Sequence, residues 1–218
     1  MDCLVYLLLK NNEKFLSNRK LNILLSSLFS KLYTMIKMKL KDIAQILSGV
    51  YMKDSPVGTI PYLQVKDLLM DSPETTTSRI EYTPKLEGYM LQKGDLLFAG
   101  KGTTYLCEVY DRDLPAVPST TLYSIKLNTD MVSPAYLRWY MNHPNVVAVI
   151  KSSQAGSTTP LIHKPTLENL VILIPDQKTQ RIIVEIDTLQ KREKEILETI
   201  ADKKMQITNQ LLYNELNK

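Results

Sequence analysis

The sequence predicts an α+β fold, in which one globular domain of mixed strands and helices is followed by a long C-terminal helix that forms a coiled coil. Short strand-like and helix-like segments intermingle over residues 38–175 without a regular β-α-β repeat, which favours α+β over a doubly wound sheet. From residue 177 onward, glycine and proline are absent and apolar residues recur every three or four positions, which predicts one uninterrupted helix. We therefore expect three parts: an N-terminal helical extension (1–37), a globular domain (38–175) and the long helix (176–218).

The N-terminal extension carries apolar side chains at spacings of three and four, which predicts an amphipathic helix. These residues are Leu21, Leu24, Leu25, Leu28, Leu32 and Ile36. The apolar run Cys3–Leu9 is too short to span a bilayer and lacks a small-residue cleavage site, so we expect neither a membrane anchor nor a signal peptide. The only cysteines, Cys3 and Cys107, lie far apart, which favours a reducing cytoplasmic location.

The globular domain shows four strand signals in its composition. They fall at residues 60–65, 94–100, 121–127 and 170–175. The first alternates and begins beside a proline that suits an edge strand, the second is entered through a turn, and the third alternates. The fourth is a continuous apolar run, which predicts a buried strand. A helix opens at Pro134, is interrupted at Pro144 and continues as a second piece through Ile150.

The long helix carries the clearest periodic signal. Its apolar stripe consists of Ile182, Ile186, Leu189, Ile196, Ile200 and Ile207, and Glu193 and Lys203 occupy the two stripe positions that break it. Thirty-odd residues at about 1.5 Å each form a rod of roughly 50 Å. One domain cannot cover a stripe of that length, so we expect a partner helix from another chain or from another half of a longer protein.

The net charge of +4 comes entirely from the first 37 residues, which hold six Lys/Arg against two Asp/Glu. The other two parts are neutral. A nucleic-acid-binding face would therefore have to be a local patch.

Familiar catalytic motifs are absent from the sequence. The loop from Gly94 to Thr103 departs from the spacing of a phosphate-binding loop, which favours a tight turn in which Asp95 caps backbone amides. His143 and His163 lack ligands at metal-binding spacing, and Cys107 has no recognisable histidine partner. We expect a binding module without catalytic residues, metal or cofactor of its own.

An ordered series of short runs resembles the target-recognition domain of the specificity subunits of type I restriction–modification systems. The runs are Ile60-Pro-Tyr-Leu-Gln-Val-Lys-Asp67, Leu91-Gln-Lys-Gly-Asp-Leu-Leu-Phe-Ala-Gly-Lys-Gly102, Val117-Pro-Ser-Thr120, Tyr136-Leu-Arg-Trp-Tyr140, Gln154-Ala-Gly-Ser-Thr-Thr159, Leu167-Glu-Asn-Leu170 and Ile174-Pro-Asp-Gln-Lys-Thr-Gln-Arg-Ile182. No single run is decisive, but their order and spacing extend over about 120 residues of the chain, from Ile60 to Ile182.

The resemblance implies a division of labour. A full-length subunit of that family has two recognition domains, each followed by a long helix, and the helices pair antiparallel so that two half-sites are read at a fixed gap. Modification subunits, which use S-adenosylmethionine to methylate adenine, dock on the helices, and restriction subunits can join them. The expected partners are thus double-stranded DNA, modification and restriction subunits, and a second copy or another specificity half, with no membrane.

Base edges are read by hydrogen-bonding side chains, whereas phosphates are held by Lys, Arg and backbone amides. Candidate DNA contacts lie in loops whose glycines allow close backbone approach, and they are Lys66, Lys101, Thr103, Thr104, Ser119, Thr120, Gln154, Ser157, Thr158 and Thr159. Candidate phosphate contacts are Lys53, Lys66, Arg79, Lys85, Arg112 and Lys151. For any one lysine, a solvated surface role is the alternative. Residues 68–90 or 103–116 are the expected base-reading stretches.

Three functional hypotheses remain open at this point. The first is a half-size specificity subunit that dimerises through residues 177–213 and reads a roughly palindromic bipartite site. The second is an inactive fragment that acts only as a structural assembly partner, which the neutral charge of residues 38–218 favours. The third, an enzyme such as a nuclease, is disfavoured by the missing motifs. Residues 1–37 are either the relic of a preceding long helix, an unrelated helix or an overlong start.

Overall fold

The computed structural model describes residues 35–68, 78–101, 104–152 and 161–216, so the predicted helix up to Thr34 lies outside the described residues. The chain divides into two compact units, one that ends at Gln180 and one that begins at Arg181. Strands and helices mix in the first unit, and a long helix occupies the second. The predicted α+β class with a long C-terminal helix is confirmed.

The elements follow one another in this order: β1 (Ile36–Lys39), α1 (Leu40–Ile43), β2 (Ala44–Ser48), β3 (Ile60–Leu63), a 3-10 helix (Val65–Leu68), β4 (Ser78–Ile80), a 3-10 helix (Pro84–Tyr89), β5 (Leu96–Ala99), β6 (Cys107–Val109), β7 (Val117–Pro118), β8 (Leu122–Leu127), α2 (Pro134–Asn142), α3 (Pro144–Ser152), α4 (Lys164–Glu168), β9 (Val171–Ile174) and α5 (Gln177–Leu216). Among the described helices, none has the uninterrupted apolar length that crossing a bilayer requires.

Three small sheets organise the globular unit. The largest is antiparallel with strand order β2-β8-β5-β6, the second has order β4-β3-β7 with β3 and β7 parallel, and the third pairs β1 with β9. Every residue of β5 is buried, as the apolar run at 94–100 predicts. In β8, residues Leu122–Ile125 are all buried, so the predicted alternation is wrong there. These two strands occupy the middle of their sheet, where both faces are covered.

The two-stranded sheet corrects two further expectations. Ile36, which the periodicity assigns to the N-terminal helix, lies in β1 opposite Ile174. Ile36 is the last residue of the apolar series and also the first residue of β1. The spacing of three and four residues cannot show that the helical pattern ends before this residue. The run at 170–175 is buried on one face only, since Val171 is 47% exposed while Ile172 is buried. A two-stranded sheet leaves one face to solvent, and the apolar run alone did not reveal this.

The α2–α3 pair confirms the reading of Pro134 and Pro144. The Ser133 hydroxyl accepts a hydrogen bond from the backbone N–H of Tyr136, and Pro134 occupies the first turn. At the other end of α2, the Asn142 amide pairs with the backbone of buried Cys107: its Oδ1 accepts from the Cys107 N–H at 2.8 Å, and its Nδ2 donates to the Cys107 carbonyl at 2.7 Å. Burial raises the pKa of the Cys107 thiol, which keeps it protonated and unreactive.

The first turn of α5 is locked into the globular unit by polar contacts. The Asp176 carboxylate caps the helix, since Oδ1 accepts from the backbone N–H groups of Lys178 and Thr179 at 2.9 and 3.0 Å. Gln180 is 0% exposed, and both the oxygen and the nitrogen of its side-chain amide form hydrogen bonds. Oε1 accepts from the Ser133 N–H at 2.9 Å, and Nε2 donates to the carbonyls of Met131 (2.6 Å) and Pro175 (2.9 Å).

We expect Gln180→Ala to destabilise the globular unit by roughly 3 kcal/mol, because the substitution leaves one buried and two partly buried backbone groups without their partners. Urea unfolding followed by tryptophan fluorescence measures the loss. Gln190→Ala, on the exposed part of the same helix, is the matched control and is expected to change stability by less than about 0.5 kcal/mol. Equal stability of the two variants would contradict this role for Gln180.

Candidate nucleic-acid interface

Gly100, at the end of β5, joins three loops. Its backbone N–H donates to the Thr121 carbonyl at 3.1 Å, and its carbonyl accepts from the Ile162 N–H at 2.9 Å. The next residue, Lys101, forms an antiparallel bridge with Leu161. The loop after β5, the turn before β8 and the chain that follows residues 153–160 therefore meet at one place.

Two more segments join this meeting point through Ser119 and Pro118. The Ser119 N–H donates to the Leu63 carbonyl at 2.8 Å, which brings in the turn after β3. The Val50 N–H donates to the Pro118 carbonyl at 3.1 Å, which brings in the loop after β2. We call the described residues of these segments the loop cluster: residues 50–53, 64–68, 101, 104–106, 119–121 and 161–162.

The close approach at Gly100 is made by Tyr123 of the same chain. A Cβ at this position would lie 2.3 Å from Cε2 of the Tyr123 ring. The Tyr123 hydroxyl donates to the Ile162 carbonyl at 2.7 Å, and burial raises its pKa, so the donor stays protonated. The glycine is therefore required for internal packing that holds the loops together, whereas the sequence analysis attributed the loop glycines to backbone approach in general.

The loop cluster carries a local excess of positive charge. Its charged side chains are Lys53, Lys66, Asp67 and Lys101, and the three lysines are exposed. Asp67 is buried, and its carboxylate accepts from the Gln64 N–H at 2.7 Å. Beside the cluster, Nζ of Lys151 lies 4.9 Å from the ring centroid of Tyr105. The loop cluster thus has a net positive charge within a domain whose overall charge is neutral.

The predicted DNA contacts fall into three groups. Lys66, Lys101, Thr104 and Thr120 are exposed in the loop cluster. Ser119 is 5% exposed, and its Oγ lies 2.7 Å from Oγ1 of Thr121, an arrangement that suits a turn-forming residue. The remaining ones, Thr103, Gln154, Ser157, Thr158 and Thr159, lie outside the described residues. Contact with DNA stays a prediction for all of them.

Arg79 and Arg112, two predicted phosphate contacts, line a trough that adjoins the loop cluster at Asp67 and Leu68. It consists of two adjoining depressions of about 380 and 320 Å³ that share Tyr110, Asp111 and Arg112. The Arg112 guanidinium carbon lies 5.9 Å from the Tyr110 ring centroid, and Nη1 of Arg79 donates to the Thr59 carbonyl at 3.2 Å.

Ion pairs offset part of the acidic charge around this trough. Lys93 lies 3.4 Å from the Asp111 carboxylate and 3.2 Å from that of Asp113. The lining therefore combines two arginines with the carboxylates of Asp67, Glu108, Asp111 and Asp113, and it has no excess of positive charge. Lys85, another predicted phosphate contact, lies apart from the loop cluster and is exposed in the second 3-10 helix.

Tyr51 is a further candidate contact that was not predicted from the sequence. Its side chain is 81% exposed, and its neighbour Val50 bridges to Ser119 in the loop cluster. The Tyr62 hydroxyl holds this loop, because it donates to the Val50 carbonyl at 2.7 Å and accepts from the Met52 N–H at 3.2 Å. An exposed aromatic ring beside a lysine suits contact with a sugar or base. In the sequence, the run Tyr51-Met-Lys53 places an aromatic residue close to a lysine, and this pattern could have indicated the contact.

The side chains of His143 and Asp95 both form hydrogen bonds with backbone N–H groups. The half-buried His143 ring accepts from the Asn145 N–H at 3.3 Å through Nδ1, and burial lowers its pKa, which favours the neutral form. The Asp95 carboxylate accepts from the Gln92 N–H at 2.9 Å, which confirms its predicted capping role. Within the described ranges, no group of three or more His, Cys, Asp or Glu side chains could hold a metal ion.

Comparison with known proteins gives a family match over most of the chain. The model of the type I restriction modification DNA specificity domain matches residues 34–216. No curated protein gives a significant sequence match.

Solved structures share the fold at low sequence identity. A chain from a study of complex assembly and conformational transition of a type I R-M system has a TM-score of 0.58 at 18% identity, over 78% of this chain and 41% of that one. The HsdS subunit from Thermoanaerobacter tengcongensis gives 0.55 at 18% identity, over 72% and 38%. The S subunit of a type I restriction–modification system from M. genitalium gives 0.51 at 16%, over 91% and 50%. The chain thus spans half or less of the length of these structures.

We expect Gly100→Ala to destabilise the globular unit by about 2 kcal/mol, because the added methyl group collides with the Tyr123 ring and separates the loops. Thermal unfolding measures the loss. Gly88→Ala is the matched control, since a Cβ at Gly88 meets no atom within 4 Å. If Gly100→Ala is as stable as Gly88→Ala, the loops are not held together through this contact.

Proposed function

Because the chain belongs to the family of type I restriction modification DNA specificity domains, we propose that it reads one half of a bipartite DNA site and directs an adenine methyltransferase to it. The observation that carries this proposal is the loop cluster. Five segments from different parts of the sequence converge there through backbone hydrogen bonds and bridges, and they carry exposed lysine and threonine side chains.

The chemistry of the loop cluster suits duplex DNA. Lysines such as Lys66 and Lys101 supply phosphate contacts that position the domain, while hydroxyl groups such as those of Thr104 and Thr120 can donate to or accept from base edges. Arg79 and Arg112 add two guanidinium groups, a group that can form bidentate hydrogen bonds with phosphate or guanine. Local charge of this kind is sufficient for binding although the domain is neutral as a whole.

Pairing through α5 would supply the second recognition domain. In this proposal, modification subunits dock on the paired helices and bring S-adenosylmethionine, and a restriction subunit can join them. The chain itself contributes recognition and no catalysis. The exposed apolar stripe of α5 supports the need for a partner helix.

The alternative is a specificity fragment that acts only in assembly and has no affinity for DNA. The neutral charge of residues 38–218 favours it. Salt-dependent DNA binding distinguishes the two functions, because phosphate contact releases counterions and therefore weakens as salt rises.

We expect Lys101→Ala to weaken DNA binding at low salt and to reduce the slope of log affinity against log salt by about one. The duplex should carry the motif whose methylation depends on this gene in methylome sequencing, and fluorescence anisotropy gives the affinity. Lys37→Ala, on the two-stranded sheet, is the control and should leave both quantities unchanged. If the wild-type chain, with its modification subunit, binds no duplex at any salt concentration, the assembly-only function is correct.

We expect a seven-residue helical insertion directly after Leu189 to change the gap between the two halves of the methylated motif. Seven residues preserve the apolar stripe and lengthen each helix by about 10 Å. Methylome sequencing of cells that carry the variant reads the gap directly. The same seven residues appended after Leu216 form the control, which should keep the original gap. An unchanged gap in the first variant would mean that α5 does not set the spacing.

A further inference from the structure

The apolar stripe of α5 is open to solvent in the single chain. Ile186, Leu189, Ile196, Ile200 and Ile207 are between 44% and 59% exposed. A continuous apolar surface of this length is unfavourable in water and indicates a binding partner.

Two charged residues interrupt the stripe and lack opposite charges on their own helix. The residues three and four positions from Glu193 are Leu189, Gln190, Ile196 and Leu197, and those around Lys203 are Thr199, Ile200, Gln206 and Ile207. In the single chain, Nζ of Lys203 donates to Oε1 of Gln206 at 3.2 Å. A partner that covers the stripe would bury both charges, so each then needs an opposite charge on that partner.

Charges away from the stripe are arranged differently. Lys191 pairs with Asp187 at 2.9 Å, and Lys194 pairs with Glu198 at 3.6 Å, both along the same helix. These pairs stabilise the helix locally. Asp202 and Lys204, outside the stripe, also lack an opposite charge three or four positions away, so Glu193 and Lys203 differ from them in lying on the face that a partner would cover.

The stripe is complementary to itself when its direction is reversed. From Leu189 to Ile207 its positions follow steps of four, three, four, three and four residues, a series that reads the same from either end and is centred on residue 198. Two copies laid antiparallel about residue 198 place Ile196 opposite the partner's Ile200. The same register places Glu193 opposite the partner's Lys203 and Leu189 opposite the partner's Ile207.

Other registers leave the charges opposed by the wrong groups. Parallel, in-register pairing would place Glu193 against the partner's Glu193 and Lys203 against the partner's Lys203. Antiparallel pairing shifted by one heptad would place Glu193 against the partner's Ile196 or Gln210, and Lys203 against the partner's Ile186 or Ile200. Like charges and unpaired buried charges are both strongly unfavourable.

We propose that the partner of α5 is a second copy of this chain, bound antiparallel about residue 198, with Glu193 of each copy paired to Lys203 of the other. This rests on the pairing through α5 in the proposed function. The register also accounts for the exposed Leu197 beside the stripe, because it meets the partner's Leu197 at the two-fold axis. A single buried polar pair of this kind selects register and orientation in coiled coils.

The register has a geometric consequence for recognition. The Gln180 residues of the two copies are separated by 36 residue positions along the coil (18 on each side of residue 198), or about 54 Å at 1.5 Å per residue. A two-fold axis relates the two recognition domains, so the two half-sites must form an inverted repeat.

Charge reversal tests the pairing. We expect Glu193→Lys and Lys203→Glu, each alone, to weaken dimerisation at least about tenfold, because each creates two like-charge pairs. The double variant should return to within about threefold of wild type. Sedimentation equilibrium of the full chain measures the dissociation constants, and circular dichroism checks that each variant is folded.

Several outcomes of this experiment would overturn the proposal. They are a wild-type chain that stays monomeric at high concentration, single variants that dimerise as wild type does, and a double variant that does not recover. A monomer that still binds its DNA half-site would leave the recognition function standing and remove only the dimer.

Cysteine cross-linking tests the direction independently in a Cys3→Ser background. A mixture of Ile196→Cys and Ile200→Cys chains should cross-link under mild oxidation, whereas either variant alone should not. Efficient self-linking of Ile196→Cys would show parallel pairing, and absence of cross-linking in the mixture would show that this register is not formed. Either result would overturn the proposal.

Discussion

The buried amide of Gln180 fixes the first turn of α5 to the rest of the globular unit. Its side chain binds the backbone before α2 through Ser133 and Met131 and the end of β9 through Pro175. Because the amide is fully enclosed, its hydrogen bonds do not compete with water, and losing them leaves several buried groups unpaired. The first turn of α5 is therefore held as part of the folded globular unit.

The recognition end of the domain depends on packing of a different kind. Gly100 allows the Tyr123 ring to lie against the backbone, and the same ring donates a hydrogen bond that holds Ile162. Loops from five parts of the sequence thereby meet at one place. Since β5 and the first four residues of β8 beneath them are buried on both faces, these loops can vary in sequence while the scaffold that positions them stays unchanged.

The candidate site was predictable in part. Loop composition singled out Lys66, Lys101 and Thr120, and the structure brings all three into one cluster. Composition could not show that Ser119 is enclosed in its turn or that Tyr51 stands exposed beside it, because burial depends on contacts between distant segments. It also could not reveal the net positive charge of the loop cluster, since the neutral total conceals an Asp67 carboxylate that is turned inward to a backbone N–H.

By itself, the sequence determined the α+β class, the long helix with its apolar stripe, and the turn made by Gly94 and Asp95. Each of these depends on neighbours within a few residues, where helical periodicity and turn chemistry act directly. Only the tertiary structure decided that Ile36 belongs to a strand, that Val171 faces solvent and that the recognition loops share one surface. Those outcomes depend on strand pairing and burial between segments up to about 140 residues apart, which local patterns do not encode.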